Sequence, residues 1–309
     1  MANPVTTGTT YAGEFSGKYI SAALLSGSTL ANNGLTVMPN VKFKSVIQKA
    51  ELGSIVADAT CDYSASGTLT LTERLITPKE LQVNYTLCKK DLHATWQAAQ
   101  MGFGAFDNLP ATFEDYVIAY TAEKVSASIE SSIWTGNDAT AGQFTGFTKL
   151  LTDDADLPTG QEIAQVSGGI TSSNVIAELG KVVDAIPNTV YGREDLHIYI
   201  STKIAKAYVS AQAALGYRDQ FHVGQTELNF QGIPLFVAPG LGDDDMIAAE
   251  KSNLFFGTGL LNDSNLVKVI DTAEILGDQN VRIIMRFTAG VQIGNITDVV
   301  SYGIPNANN

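Results

Sequence analysis

Two cysteines, three histidines and a charged fraction of only 17% are what this 309-residue chain is shortest of, and each shortage removes a class of function. Cys61 and Cys88 lie far apart, so closely spaced zinc thiolates are excluded, and two cysteines make no disulfide framework. In a reducing compartment they stay thiols and serve as small buried or half-buried side chains. His93, His197 and His222 each lack a second histidine one helical turn away, so no helical metal pair exists. The sequence contains no G-x-S-x-G, which removes the usual nucleophile elbow. "GTGLLND" (257–263) lacks both the lysine of a phosphate loop and the third glycine of a dinucleotide fingerprint.

Basic residues are also scarce. Nineteen lysines and arginines against 32 acids leave a net charge of -13, which argues against a broad basic face gripping nucleic acid or anionic lipid. Aromatic residues interleaved with so few bases make no stacking platform for single strands. No apolar run approaches the roughly 18 residues of a membrane span, and "MANPVTTGTT" lacks a basic region followed by an apolar one. A cytoplasmic protein is expected.

What is abundant is apolar residues, at 45%. Combined with few charges, where about 25% is usual, this implies that much of the surface is buried in an assembly. The length suits one large or two interleaved domains.

Residues 1–40 hold two charges, Glu14 and Lys18, among many Thr, Ser, Gly and Asn. Such a stretch buries too little to offset its ordering entropy alone, and is either a disordered tail or an arm ordered against neighbouring subunits. "YISAALLSGSTL" (19–30) favours the arm, with Ile20, Ala23, Leu24 and Leu30 as an apolar anchor. From 41 to 91 the pattern is strand: Leu69 and Leu71, then Leu81, Val83, Tyr85 and Leu87 alternate, with Pro78 joining two extended runs at a bend. These runs are marginal alone and must lean on something else.

"TFEDYVIAYTAEKVSASIESSIWTG" predicts a helix over 113–134, about 33 Å long at 1.5 Å per residue. Thr112 is its N-cap, Glu114 and Asp115 suit the positive end of its dipole, and Gly136 stops it. Two apolar stripes, one from Phe113 to Tyr120 and one from Ile118 to Ile133, place it between layers. "SSNVIAELGKVVDAIP" is a second helix ended by Pro187, "DLHIYIS" a buried strand, and "TKIAKAYVSAQAAL" a helix capped near Ser201 or Thr202. Strands are expected at 226–230, 233–238, 253–256, 266–271, 281–288 and 290–302. The order is that of a mixed α+β protein.

One acidic feature stands out. In "FQGIPLFVAPGLGDDDMIAAEKSNLFFGT" two apolar runs flank Asp243, Asp244 and Asp245. Calcium loops set oxygens at alternate positions and include a distal glutamate, which this turn does not. Pro, Gly and Asp suit a turn for backbone reasons, so a solvated corner is expected. The competing reading is an enzyme using Asp243–Asp245, Glu250 and His222 as a metal or acid/base site.

The arrangement as a whole resembles the major capsid protein of tailed bacteriophages, the Hong Kong 97 fold. The likeness is carried by "FEDYVIAYTAEKVSASIESSIWTGN", "DLHIYISTKIAKAYVSA", "GIPLFVAPGLGDDDMIAAEKSNLFFGTGL", "VRIIMRFTAGVQIGNITDVVSYG" and "LTERLITPKELQVNYTLCKKDL". The resemblance implies an N-terminal arm at 1–40, an extended two-stranded loop with flanking strands at 41–91, and a peripheral domain with a spine helix at 92–165. It implies an axial domain at 166–263, peripheral return strands at 264–295, and a C-terminal strand and tail at 296–309.

It further implies a non-enzymatic shell subunit with no catalytic, cofactor-binding or metal residues. Such a subunit self-assembles as hexamers and pentamers into an icosahedral shell around double-stranded DNA held without sequence-specific binding. The implied partners are a portal, a separate scaffolding protein and decoration proteins, with no membrane, and the place is the virion after assembly in the host bacterial cytoplasm. Some members crosslink a loop lysine to an asparagine of an adjacent subunit. Lys44, Lys49 and Lys79 lie in or near the loop, but none matches a crosslinking motif. An encapsulin-type compartment resembles the same fold and stays open as an alternative.

Overall fold

The computed structural model describes residues 28–41, 43–53, 55–56, 58, 61, 67–88, 111–214, 228–259, 268–272 and 277–308. The anchor residues Ile20, Ala23 and Leu24, with His93 and His222, lie outside what is described, while Thr112, expected as an N-cap, lies inside the helix, which begins at Ala111.

The chain enters through a single turn, α1 (Ser28–Ala31), and a short strand, β1 (Thr36–Met38). Strands β2 (Ser45–Leu52) and β3 (Leu69–Ile76) form an antiparallel two-stranded ribbon, and β4 (Lys79–Cys88) follows across Thr77 and Pro78. Next come the spine helix α2 (Ala111–Thr135), α3 (Phe147–Asp153), β5 (Glu162–Ile163), α4 (Val175–Asp184), β6 (Leu196–Ile200) and α5 (Thr202–Ala214). The remainder is β7 (Asn229–Phe230), β8 (Ile233–Val237), β9 (Met246–Glu250), β10 (Leu254–Thr258), β11 (Lys268–Asp271), β12 (Asn280–Ile293) and β13 (Val300–Tyr302).

Three sheets result. A five-stranded sheet runs β1-β10-β12-β11, with β4 also paired along β12 from Asn280 to Ala289. A six-stranded sheet runs β5-β13-β9-β6-β8-β7, and the ribbon is the third. In the six-stranded sheet β6 and β8 are parallel, joined through α5, while β9 is antiparallel to β6.

Side-chain alternation explains how the layers stack. Leu196, Ile198 and Ile200 of β6 point into a core shared with Val175, Leu179 and Val182 of α4 and Ile204 and Tyr208 of α5. Tyr199 points the other way, into a core with Ile129, Ile133 and Trp134 of the spine. The six-stranded sheet is therefore covered on both faces. Strand β9 is buried at every position, so it reads as a continuous apolar run and not as an alternation. That is why it is missing from the strands expected from sequence.

One further expectation is corrected. A break near residue 289 is absent, because β12 continues unbroken through Gly290, where a Cβ would approach Pro78 Cα to 2.9 Å. The two runs about Pro78 do not pair with each other. Strand β3 takes β2 as partner, and β4 takes β12. The expectation that these strands need outside support holds for β4, whose Leu81 and Val83 pack in the spine core.

Candidate assembly surface

In an antiparallel pair, residues directly opposite each other share a face. The ribbon register sets Val46 opposite Leu75, Gln48 opposite Glu73, and Ala50 opposite Leu71. This outer face is open to solvent: Leu71 is 62% exposed, Leu75 47% and Val46 45%. Leu69 continues the same stripe, and Gln48 Nε2 donates to Glu73 Oε1 at 3.1 Å in its middle. Among the described residues, every exposed large hydrophobic side chain except Tyr191 lies between Val37 and Leu75. Phe43, Ile55 and Val56 extend the apolar surface along this segment. Val46, Leu69, Leu71 and Leu75 flank the polar Gln48–Glu73 pair on one exposed face.

The inner face, which mixes the buried Ile76 and half-buried Ile47 with polar residues, is held to the rest of the chain. Arg74 Nη1 donates to Asp154 Oδ2 at 2.5 Å, with both side chains mostly buried. Lys49 Nζ donates to Asn295 Oδ1 at 2.8 Å, and Gln292 Nε2 donates to the Leu75 carbonyl at 2.7 Å. Of the other loop lysines, Lys79 donates to the Asp138 carbonyl at 2.9 Å and Lys44 is exposed. Cys61 is exposed and Cys88 half-buried, both as free thiols.

A second constellation fixes the start of the described chain to the spine. Thr29, Glu130 and Trp134 are fully buried. The Thr29 N–H donates to Glu130 Oε2 at 3.1 Å, and its hydroxyl donates to Glu130 Oε1. Trp134 Nε1 donates to Thr29 Oγ1 at 3.0 Å and to Glu130 Oε1 at 3.3 Å. Burial pushes the Glu130 carboxyl above its usual range, and the Thr29 and Trp134 donors only partly pull it back. Beside it, Tyr199 stacks against Trp134 with ring centroids 5.1 Å apart and donates its hydroxyl to the Gly34 carbonyl at 2.6 Å. Burial raises the Tyr199 phenol, which therefore stays protonated as the donor. Leu30, expected as an apolar anchor, packs at the edge of this core. Nothing in the sequence pattern singled out Glu130, although its spacing of four from Trp134 puts both on one helical face.

The acidic turn is less solvated than its composition suggests. Only Asp243 is exposed. Asp244 accepts from Lys203 Nζ at 2.7 Å and from the Ile170 N–H at 2.8 Å, and these donors hold its carboxyl low despite the opposing effect of burial. Asp245 lies against Gly242 and Gly303, where a Cβ on either glycine would collide with its carboxylate. Burial first, and the neighbouring Asp244 and Asp243 charges second, push Asp245 up to about 6.

Because the folded pKa is raised above that of the unfolded chain, the Asp245 contribution is fully present at low pH. It is lost as pH rises through about 6. Asp245→Asn is expected to raise the melting temperature at pH 7.5 and to leave it unchanged at pH 4. Thermal unfolding at the two pH values measures this.

Of the residues proposed for an enzyme site, those that are described are not all brought together. Glu250 is at the far end of β9 from the turn, buried, and accepts from Arg193 Nη1 at 2.8 and 3.1 Å. His197, on β6, has Nδ1 2.8 Å from the carbonyl of Asp195, the residue just before that strand. Among the described residues no group of three His, Cys, Asp or Glu side chains is placed to hold a metal ion, and no helix is long and apolar enough to cross a membrane.

Comparison with known proteins separates fold from sequence. No family matches the chain by sequence, and no curated protein does. Solved structures do match. The capsid of a native GTA particle is 16% identical, with a TM-score of 0.65 over 99% of this chain and 96% of that one. A protein of Mycobacterium phage Adephagia is 15% identical, with a TM-score of 0.59 over 97% of this chain and 100% of that one. The capsid of cyanophage P-SCSP1u is 12% identical, with a TM-score of 0.55 over 96% and 94%. The chain therefore has the Hong Kong 97-type fold of phage capsid proteins, in α+β form, as its sequence pattern resembles.

Proposed function

We propose that this chain is a major capsid protein, a non-enzymatic subunit that assembles as hexamers and pentamers into an icosahedral shell around the double-stranded DNA of a tailed phage. The observation that carries this reading is the ribbon, whose outer face, among the described residues, leaves Val46, Leu69, Leu71 and Leu75 about half exposed or more, while its inner face is bonded to the rest of the chain. A two-stranded ribbon is marginal in water unless its apolar face is covered, and copies of the same chain in a shell supply that cover. The whole-chain likeness to capsid structures supports the same reading.

On this reading residues 1–40 form the arm, 41–91 the extended loop, and the six-stranded sheet with α4 and α5 the axial domain. The acidic turn is a structural corner of that domain. A portal, a separate scaffolding protein and decoration proteins are the expected partners, in a virion assembled in a bacterial cytoplasm. The net charge of -13 supports DNA retention by closure of the shell and not by binding.

Electron microscopy of the purified protein, alone and co-expressed with the adjacent phage structural genes, tests the reading. Closed shells or capsomers are expected, with densely packed DNA in infectious particles. Shells enclosing a cargo protein would instead identify an encapsulin-type compartment. A monodisperse monomer under both conditions would overturn the proposal.

A further inference from the structure

The ribbon's inner face rests on residues that are themselves held by the far end of the chain. Asp154, which takes the Arg74 guanidinium, sits just after α3. Its position is set from the other side by the tail. Asn306, 7% exposed, donates through Nδ2 to the Asp154 carbonyl at 2.7 Å and to the Leu151 carbonyl at 2.8 Å. Its own N–H donates to Glu162 Oε1 at 2.9 Å, tying the same residue to β5. The Ala307 N–H donates to the Thr152 carbonyl at 2.8 Å, and Asn308 Nδ2 to the Asp153 carbonyl at 3.0 Å. Four consecutive carbonyls at the end of α3, from Leu151 to Asp154, are therefore bonded by the tail.

Carbonyls at a helix C-terminus have no partner within the helix. Here a distant segment satisfies them, and the carboxylate at the end of that strapped turn is the one that grips the ribbon. We propose that residues 306–308 are a strap that fixes the angle of the ribbon against its own subunit, transmitted through Asp154 to Arg74. The second anchor, Lys49 on Asn295, is independent of the strap, because Asn295 is held by Asn253 through bonds of 2.6 and 2.7 Å. The strap thus acts on one of several holds on the ribbon, beside Lys49 on Asn295 and Gln292 on the Leu75 carbonyl. Loosening it weakens the Arg74 contact while those two remain. This device is internal to one subunit and stands whether or not the chain forms a shell.

Hydrogen exchange on the full-length protein, with wild type and variants in the same state of assembly, tests it. Asn306→Ala removes the two bonds to the Leu151 and Asp154 carbonyls and the one its Oδ1 accepts from the Asn308 N–H, and the ribbon amides of 45–52 and 69–76 are expected to exchange about tenfold faster, while β6 and β9 are unchanged. Arg74→Ala is expected to give the same pattern, and the double variant no more than either single one, because both cut one chain of contacts. Faster exchange confined to α3 and the tail, or additive effects in the double variant, would overturn the proposal. If Asn306→Ala yields no folded protein, Asn308→Ala, which removes only the bond to Asp153, carries the same test. A ribbon unaffected by it counts against the strap.

Discussion

Leu71→Glu combined with Leu75→Glu leaves a subunit that folds and does not assemble. Both side chains lie on the outer face of the ribbon, Leu71 62% and Leu75 47% exposed, so their replacement removes far less from the stability of the isolated subunit than the loss of a core leucine would. Circular dichroism and the unfolding midpoint are expected to match wild type. Assembly responds differently. Burying the exposed half of Val46, Leu69, Leu71 and Leu75 against a neighbour is worth roughly 1–1.5 kcal/mol for each side chain before the costs of association. Two glutamates in place of two leucines forfeit about half of this and set uncompensated carboxylates into a desolvated contact.

At about 1.4 kcal/mol per factor of ten, each ribbon contact is expected to weaken roughly a thousandfold or more. Light scattering and electron microscopy then show subunits or capsomers in place of shells. Gln48→Ser, on the same face but at a polar position and without added charge, is expected to have a much smaller effect. Normal shell yield from the double variant would show that this face is not an assembly contact.

Glu130→Ala has the largest expected effect on the fold itself. The carboxylate is fully buried and accepts from the Thr29 N–H, the Thr29 hydroxyl and Trp134 Nε1. Its removal leaves buried donors without acceptors and opens a cavity beside Trp134, a loss of about 3–5 kcal/mol. Glu130→Gln retains one acceptor oxygen and is expected to lose less. The carboxyl is pushed up by burial, so its contribution is present at low pH and is lost as pH rises through its raised folded value. The glutamine variant therefore shows a flatter dependence of stability on pH. Urea unfolding at several pH values measures both effects, and hydrogen exchange over 28–34 reports whether the chain entry undocks first.

Local elements were legible because their causes are local. The 3.6-residue repeat around Val125, Ile129 and Ile133 located the spine, observed at 111–135 where 113–134 was expected. The unit of buried strand and helix after Asp195 appears at 196–200 and 202–214, close to its predicted span. Pairing was not legible. That β3 joins β2 and that β4 joins β12 depends on contacts across long stretches of chain, which no window of residues contains. The buried carboxylate of Glu130 was hidden for the same reason, since its main partner lies 101 positions away. The acidic turn looked uniformly solvated because composition cannot show that Lys203 and the Ile170 amide converge on Asp244.

Sequence alone determined that this chain is rich in apolar residues, poor in charge and built of long alternating strands around one long helix. Tertiary structure alone decided which apolar residues stay bare. Leu71 and Leu81 occupy equivalent places in alternating runs ten residues apart, on either side of Pro78. Leu81 is in the core of the spine and Leu71 is 62% exposed. The bend at Pro78 directs one strand onto β12 and the other out along the ribbon, so the same period-two pattern buries one leucine and leaves the other for a neighbouring surface.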